Sequence, residues 1–155
     1  MAILVVDSNA VEAERTAAVL RKYLANPVRI ARDGPHAFSM LLGSPLQNAQ
    51  PIPYPQLIFL DAHAHLADPE PFLGRLRLEP RTKHVPLVVL TRSDAETRAL
   101  RRRLRDECAY VSKPLSLERL ADALHQVRAK WLLMHEQPNL QEMVRLKDPP
   151  APSEV

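Results

Sequence analysis

The apolar residues of this chain fall into short unbroken runs separated by amphipathic stretches. Ala2 to Val6 shows no alternation and ends in Asp7, the pattern of a strand covered on both faces. From Asn9 the spacing becomes helical. Ala10, Ala13, Ala17, Leu20 and Leu24 share one face, Glu12, Glu14, Arg15, Arg21 and Lys22 lie elsewhere, and Asn9 is placed to cap the first turn. Pro27 stops that helix, Val28 to Ala31 reads as a short strand, and Asp33-Gly34-Pro35 is a turn with Pro35 at the first helical position. A second helix over about 36–42 ends at Gly43. Ser44 to Pro55 carries Pro45, Pro51, Pro53 and Pro55, too many for helix or sheet, and reads as a surface loop.

The same alternation continues in the second half. Leu57 to Leu60 is a strand ending in Asp61, and Ala62 to Pro71 is polar and turn-rich. The following helix turns Phe72, Leu73 and Leu76 inward, with Leu78 a further candidate, and Pro80 closes it. Leu87 to Leu90 is a strand ending in Thr91, and a helix over about 94–106 points Leu100 and Leu104 inward. Tyr110-Val111 is a short fifth strand, Lys113-Pro114 a tight turn, and Ser116 caps a long helix bearing Leu117, Leu120, Leu124, Val127 and Trp131. Residues 136–155, with Pro138, Pro149, Pro150 and Pro152, read as a trailing arm that orders only where it docks. Five strands alternating with five helices predict a three-layer α/β fold, a parallel sheet with helices on both faces.

Composition narrows the function classes. The chain has 155 residues, 46% hydrophobic and 25% charged, enough for one packed domain and against wholesale disorder. The apolar runs are far shorter than the roughly 20 residues a bilayer span needs. The start lacks the features of a secretory signal, so the expectation is a cytoplasmic protein with no membrane association. Cys108 stands alone and no Cys or His pairs occur at zinc-ligand spacing, which argues against a disulfide framework and a structural zinc. A net charge of +3 is a weak field unless clustered. The arginines at 98, 101, 102, 103 and 105 are spread around several helix faces without a recognition helix or stacking aromatics, so they predict a solvated or partner-contact face and no DNA binding.

In an open α/β sheet, ligands sit beyond the carboxyl ends of the strands where the strand order reverses. The residues leaving the strands here are Asp7, Asp61 and Thr91, with Lys113 after the fifth strand. Paired carboxylates raise each other's pKa unless a cation neutralises them, so such a site calls for Mg²⁺, Lys113 or both. A carboxylate can also attack phosphorus to give an aspartyl phosphate, with cations balancing charge on the transferred oxygens. His63 and His65, two apart in a loop without a completing carboxylate or Cys pattern, read as surface histidines.

Ile3-Leu4-Val5-Val6-Asp7, Ala31-Arg32-Asp33-Gly34, Leu57-Ile58-Phe59-Leu60-Asp61, Val89-Leu90-Thr91 and Tyr110-Val111-Ser112-Lys113-Pro114 together resemble the receiver domain of two-component response regulators. Leu41-Leu42-Gly43, Pro80 to Pro86 and Trp131-Leu132-Leu133 are similar to the single-domain branch that includes the response regulators of bacterial phytochromes. The resemblance covers about residues 2–135 and implies a flavodoxin-like sheet of order 2-1-3-4-5, with 136–155 as a C-terminal extension. By this likeness Asp61 is the phosphoacceptor, Asp7 an acidic metal-site residue, the His63 backbone carbonyl a further metal ligand, Thr91 the switch hydroxyl, Tyr110 the rotating aromatic and Lys113 the phosphate-contacting lysine. Mg²⁺ is the implied cofactor, and Lys113-Pro114 the implied cis peptide. The sequence departs from the pattern at Ser8, where the family has a second aspartate, in the Ala62 to Asp68 loop, and at Asp106-Glu107. A hydroxyl at position 8 carries no charge and predicts weak Mg²⁺ binding.

The implied function is a phosphoacceptor and switch with at most self-phosphotransfer and autodephosphorylation, not an enzyme in the wider sense. Its implied partner is a sensor histidine kinase such as a bacteriophytochrome. With only about 20 residues after the last helix, output is expected through protein contacts, with homodimerisation through the 94–135 face. The alternative is a degenerate receiver that is not phosphorylated and acts as a constitutive binding or dimerisation module, which Ser8 and the loop after Asp61 favour. A hydrolase finds no nucleophile–base pair at usable spacing.

Overall fold

A computed structural model describes residues 2–43 and 55–135. The elements alternate as β1 (Ala2–Val6), α1 (Ala10–Tyr23), β2 (Val28–Ala31), α2 (Gly34–Leu42), β3 (Pro55–Asp61), α3 (Pro69–Leu78), β4 (Leu87–Thr91), α4 (Asp94–Leu104), β5 (Ala109–Ser112) and α5 (Leu117–His135). All paired strands are parallel and the sheet order is β2-β1-β3-β4-β5. The expected α/β class and the 2-1-3-4-5 order are therefore both present.

Alternation along the strands sorts the core into two layers. Leu4, Val6, Ile58, Leu60 and Val89 face α2, α3 and α4, meeting Phe38, Leu41, Phe72, Leu76 and Leu100. Ile3, Val5, Leu57, Phe59, Val88 and Leu90 face α1 and α5, meeting Ala17, Leu20, Leu120 and Leu124. Strands buried on both sides need apolar residues at every position, which is why β1 and β4 read as continuous runs.

Several boundaries differ from the sequence reading. The third helix starts at Pro69, inside the stretch assigned to a loop. Proline is tolerated in a first helical turn because its missing N–H would have no intrahelical partner there, so Pro69 and Pro71 open the helix. Leu78 is 84% exposed, since it lies two positions beyond Leu76 and off the inward stripe. Ala10 is likewise exposed, at the solvent-facing start of α1. The fourth helix ends at Leu104, where Arg105 takes φ 53° and breaks the α-helical path. Pro55 belongs to β3, and β5 runs from Ala109 to Ser112. The expected loop over 44–54 and the arm over 136–155 lie outside the described residues.

Candidate functional site

The strand order reverses between β1 and β3, and their carboxyl ends deliver Asp7 and Asp61 side by side. Each follows an apolar strand and ends it with a carboxylate at the sheet's rim. Both are nonetheless buried, Asp7 at 2% and Asp61 at 4% exposure. Lys113 reaches them from the loop after β5, where its backbone N–H donates to the Thr91 carbonyl at 2.7 Å and the Lys113–Pro114 peptide is cis.

One ammonium serves three carboxylates. Lys113 Nζ donates to Asp7 Oδ2 at 2.8 Å and to Glu12 Oε2 at 3.0 Å, and it lies 3.3 Å from Asp61 Oδ1. The contact to Asp61 is an ion pair without hydrogen-bond alignment, so Asp61 Oδ1 is buried with no hydrogen bond. Burial pushes the Asp61 carboxyl above the usual range, Lys113 opposes this, and the Asp7 charge reinforces it. Burial alone would lower the Lys113 ammonium, but its hydrogen bonds to Asp7 and Glu12 carry it above its ordinary value. The hydrogen bond from Lys113 holds Glu12 below the usual carboxylate range.

Glu12 was not among the residues that the pattern singled out. It is the third residue of α1 after the Asn9 cap, the position of a capping-box glutamate. Asn9 Oδ1 accepts from the Glu12 N–H at 3.1 Å as that motif requires. The return bond is absent, because the Asn9 N–H donates instead to Asp7 Oδ1 at 2.9 Å. Glu12 is thereby released to Lys113.

Ser8 and the loop after Asp61 form the second wall. Ser8 Oγ accepts from the His65 N–H at 2.6 Å, so the Ser8 hydroxyl ties down the loop. Gly34 supports the same loop from α2: its N–H donates to the His65 carbonyl at 3.0 Å, and a Cβ there would lie 1.8 Å from the Leu66 carbonyl oxygen. Leu66 itself takes φ 51°, a left-handed conformation unfavourable for a leucine. His63 follows Asp61 in the turn closed by the Ala64 N–H on the Asp61 carbonyl. Its exposed imidazole sits 2.6 Å from Glu96 Oε2 on α4. Glu96 is a second capping-box glutamate, after Ser93, whose other oxygen accepts from the Arg92 N–H at 3.1 Å.

Thr91 and Tyr110 occupy the third wall. The fully buried Thr91 hydroxyl is 2.6 Å from the Thr97 hydroxyl, which donates on to the Ser93 carbonyl at 3.1 Å. Tyr110 is buried on β5, donates its hydroxyl to the Arg105 carbonyl at 3.0 Å, and lies under the Arg101 guanidinium. Burial pushes its phenol far above the ordinary value. The fold thus gathers Asp7, Asp61 and Lys113 directly, places Ser8 and His63 on the adjoining loop, and leaves Thr91 and Tyr110 bonded to residues of the α4 region.

Among the described residues, no three His, Cys, Asp or Glu side chains form a ready metal cage. A hard divalent ion such as Mg²⁺ keeps several waters and needs only one or two carboxylates. Asp7 and Asp61 meet that requirement, and the unbonded buried oxygen of Asp61 is the kind of acceptor such an ion satisfies. The residues present fit the group.

A doubly wound sheet of order 2-1-3-4-5 with five helices is the flavodoxin-like architecture that receiver domains share, and this chain is similar to receivers of the response-regulator type. Among solved structures it is similar to the bacteriophytochrome response regulator AtBRR, at 29% identity, TM-score 0.72, 86% of this chain and 96% of that one. It is also similar to the bacteriophytochrome response regulator RtBRR, at 26% identity, TM-score 0.69, 94% of this chain and 89% of that one. The Mn²⁺-bound form of the response regulator Rcp1 matches at 26% identity, TM-score 0.58, 86% of this chain and 95% of that one. A curated relative, the probable methanogenesis regulatory protein FilR2 of Methanothrix harundinacea (strain 6Ac), is 27% identical over 84 residues. That match spans 54% of each chain, about half the length of the relative. No family model matches. Among the described residues, no helix is long and apolar enough to cross a membrane.

Proposed function

We propose that this receiver, comprising about residues 2–135, accepts a phosphoryl group on Asp61 from a phosphohistidine of a sensor kinase. The P–N bond of the donor breaks as an Asp61 oxygen forms the new P–O bond, and histidine leaves with its electron pair. The observation that carries this reading is the buried Asp61 carboxylate at the end of β3, beside Asp7 and with one oxygen 3.3 Å from the Lys113 ammonium. The adjacent ammonium balances charge on the incoming oxygens. A divalent ion held by Asp7 and Asp61, with the His63 carbonyl as a further ligand, would supply additional charge neutralisation. The Mn²⁺-bound form of Rcp1 supports that class of ion, and in this reading the ion is Mg²⁺.

In this reading the product places new negative charge beside Lys113 and new acceptor oxygens within the reach of a repositioned Thr91. Drawing the Thr91 hydroxyl away breaks its bond to Thr97 and loosens the α4 region that holds the buried Tyr110 through Arg105, carrying the change to the 94–135 face, where homodimerisation or kinase docking takes place. The likeness to bacteriophytochrome response regulators favours a phytochrome-type kinase, and with it this reading takes a cytoplasmic setting and output by protein contact, without DNA binding. Intact mass after incubation with a small phosphodonor and Mg²⁺ tests it. Wild type should gain one phosphoryl group and Asp61→Asn none; an unmodified wild type at high Mg²⁺ would sink the proposal.

One observation favours a second reading, a constitutive binding module. Ser8 Oγ is already engaged by the His65 N–H, so at that position a loop-fastening bond stands where the family has a charged ligand. An unmodified protein whose self-association is indifferent to the phosphodonor is the result this reading expects.

A further inference from the structure

We propose that Glu12 supplies the third negative charge of the metal pocket, compensating from helix α1 for the charge missing at Ser8; this rests on the phosphoacceptor reading of the site. Three observations converge on it. Glu12, Asp7 and Asp61 each place an oxygen within 3.3 Å of the same Lys113 nitrogen, although they belong to three different elements. The Glu12 carboxylate is spared its usual role in a capping box, because Asp7 takes the Asn9 N–H. Asp61, more than nine-tenths buried, offers an oxygen with no hydrogen bond to the same spot.

Charge balance gives these contacts their meaning. Asp7 and Asp61 against Lys113 leave one net negative charge, which undercompensates a divalent ion, whereas adding Glu12 leaves two, which matches it. The hydrogen bond from Lys113 holds the Glu12 carboxyl below the usual range, with smaller contributions from the Arg92 and Arg15 charges. At 42% side-chain exposure Glu12 keeps contact with solvent beside Lys113, where it can act through water without being desolvated. Its role is to position and neutralise, not to touch phosphorus.

The alternative to be separated is that Glu12 merely props Lys113. Glutamine keeps the side-chain oxygen that accepts from Lys113 and removes only the charge. Calorimetric titration of Mn²⁺ into the full chain should therefore compare wild type, Glu12→Gln, Ser8→Asp and the Ser8→Asp/Glu12→Gln double variant, with Asp61→Asn as the site control. The expected result is single-site binding by wild type, weakened about tenfold in Glu12→Gln, the scale of a lost supporting ligand, and restored in the double variant. Wild-type affinity in Glu12→Gln, or failure of Ser8→Asp to restore binding, overturns the assignment of Glu12 while the Asp61 mass test stands untouched. Absence of Mn²⁺ binding in wild type overturns it together with the metal pocket, and phosphorylation by mass still reports separately on Asp61.

Discussion

The two halves of the site are built in opposite ways. On the carboxylate side, Lys113 pairs with Asp7 across 106 positions and with Glu12 across 101, so the cluster exists only when β1, β3 and the β5 loop are docked in one sheet. On the hydroxyl side, Thr91 bonds Thr97 six positions away and Tyr110 bonds Arg105 five away. Long-range pairs that join separate strands break only with the sheet, whereas bonds to the two ends of α4, which follows β4 directly, can be exchanged while the core stays packed. In the proposed function the charged half is the part that holds and the hydroxyl half the part that moves.

Breaking the charged half should have the largest effect. Lys113→Met leaves buried carboxylates without a counter-charge and should cost about 3 kcal/mol at neutral pH by urea unfolding. The loss should shrink in acid, since protonated carboxyls no longer need the ammonium. In wild type the sign follows from the two shifts. Glu12 is held low, so its share is present at neutral pH and disappears as pH falls through its folded pKa. Lys113 is held high, so its share persists until pH rises through the lysine's folded value.

Asp61 provides the next test. Its carboxyl is raised by burial, so ionisation costs stability, and the protonated form is favoured only in acid. Asp61→Asn should stabilise the fold at neutral pH by about 1–2 kcal/mol, the scale of removing an imperfectly paired buried charge. That gain should vanish as pH falls and wild-type Asp61 takes up its proton; equal gains at both ends of the pH range would contradict the burial argument.

The hydroxyl half should respond more weakly and cooperatively. Thr91→Val removes the bond to Thr97 without opening a cavity and should cost about 1 kcal/mol, with Thr97→Val non-additive in a double-mutant cycle because the two share one bond. Smallest is Leu66, where φ 51° favours glycine or asparagine. Leu66→Asn should stabilise by about 0.5 kcal/mol in a thermal melt. A destabilised variant would mean that the exposed leucine is held by contacts that outweigh its backbone conformation.

The sheet and the residues that leave it were legible from the chain alone. Buried strands must be apolar throughout, and the polar residue that ends each one necessarily sits at the carboxyl rim, so Asp7, Asp61, Thr91 and Lys113 could be placed before their partners were known. The arrangement around them was not. Glu12 was passed over as one more polar residue of the first helix, and it becomes a lysine partner because Asp7, beyond β1, takes the Asn9 N–H. Ser8 reads as a lost metal ligand and turns out to fasten His65, 57 positions away. Local periodicity reports which residues are buried. Which hydrogen-bond partner each polar group takes is a competition among donors that the tertiary fold alone brings within reach, and that competition decided the chemistry around Asp61.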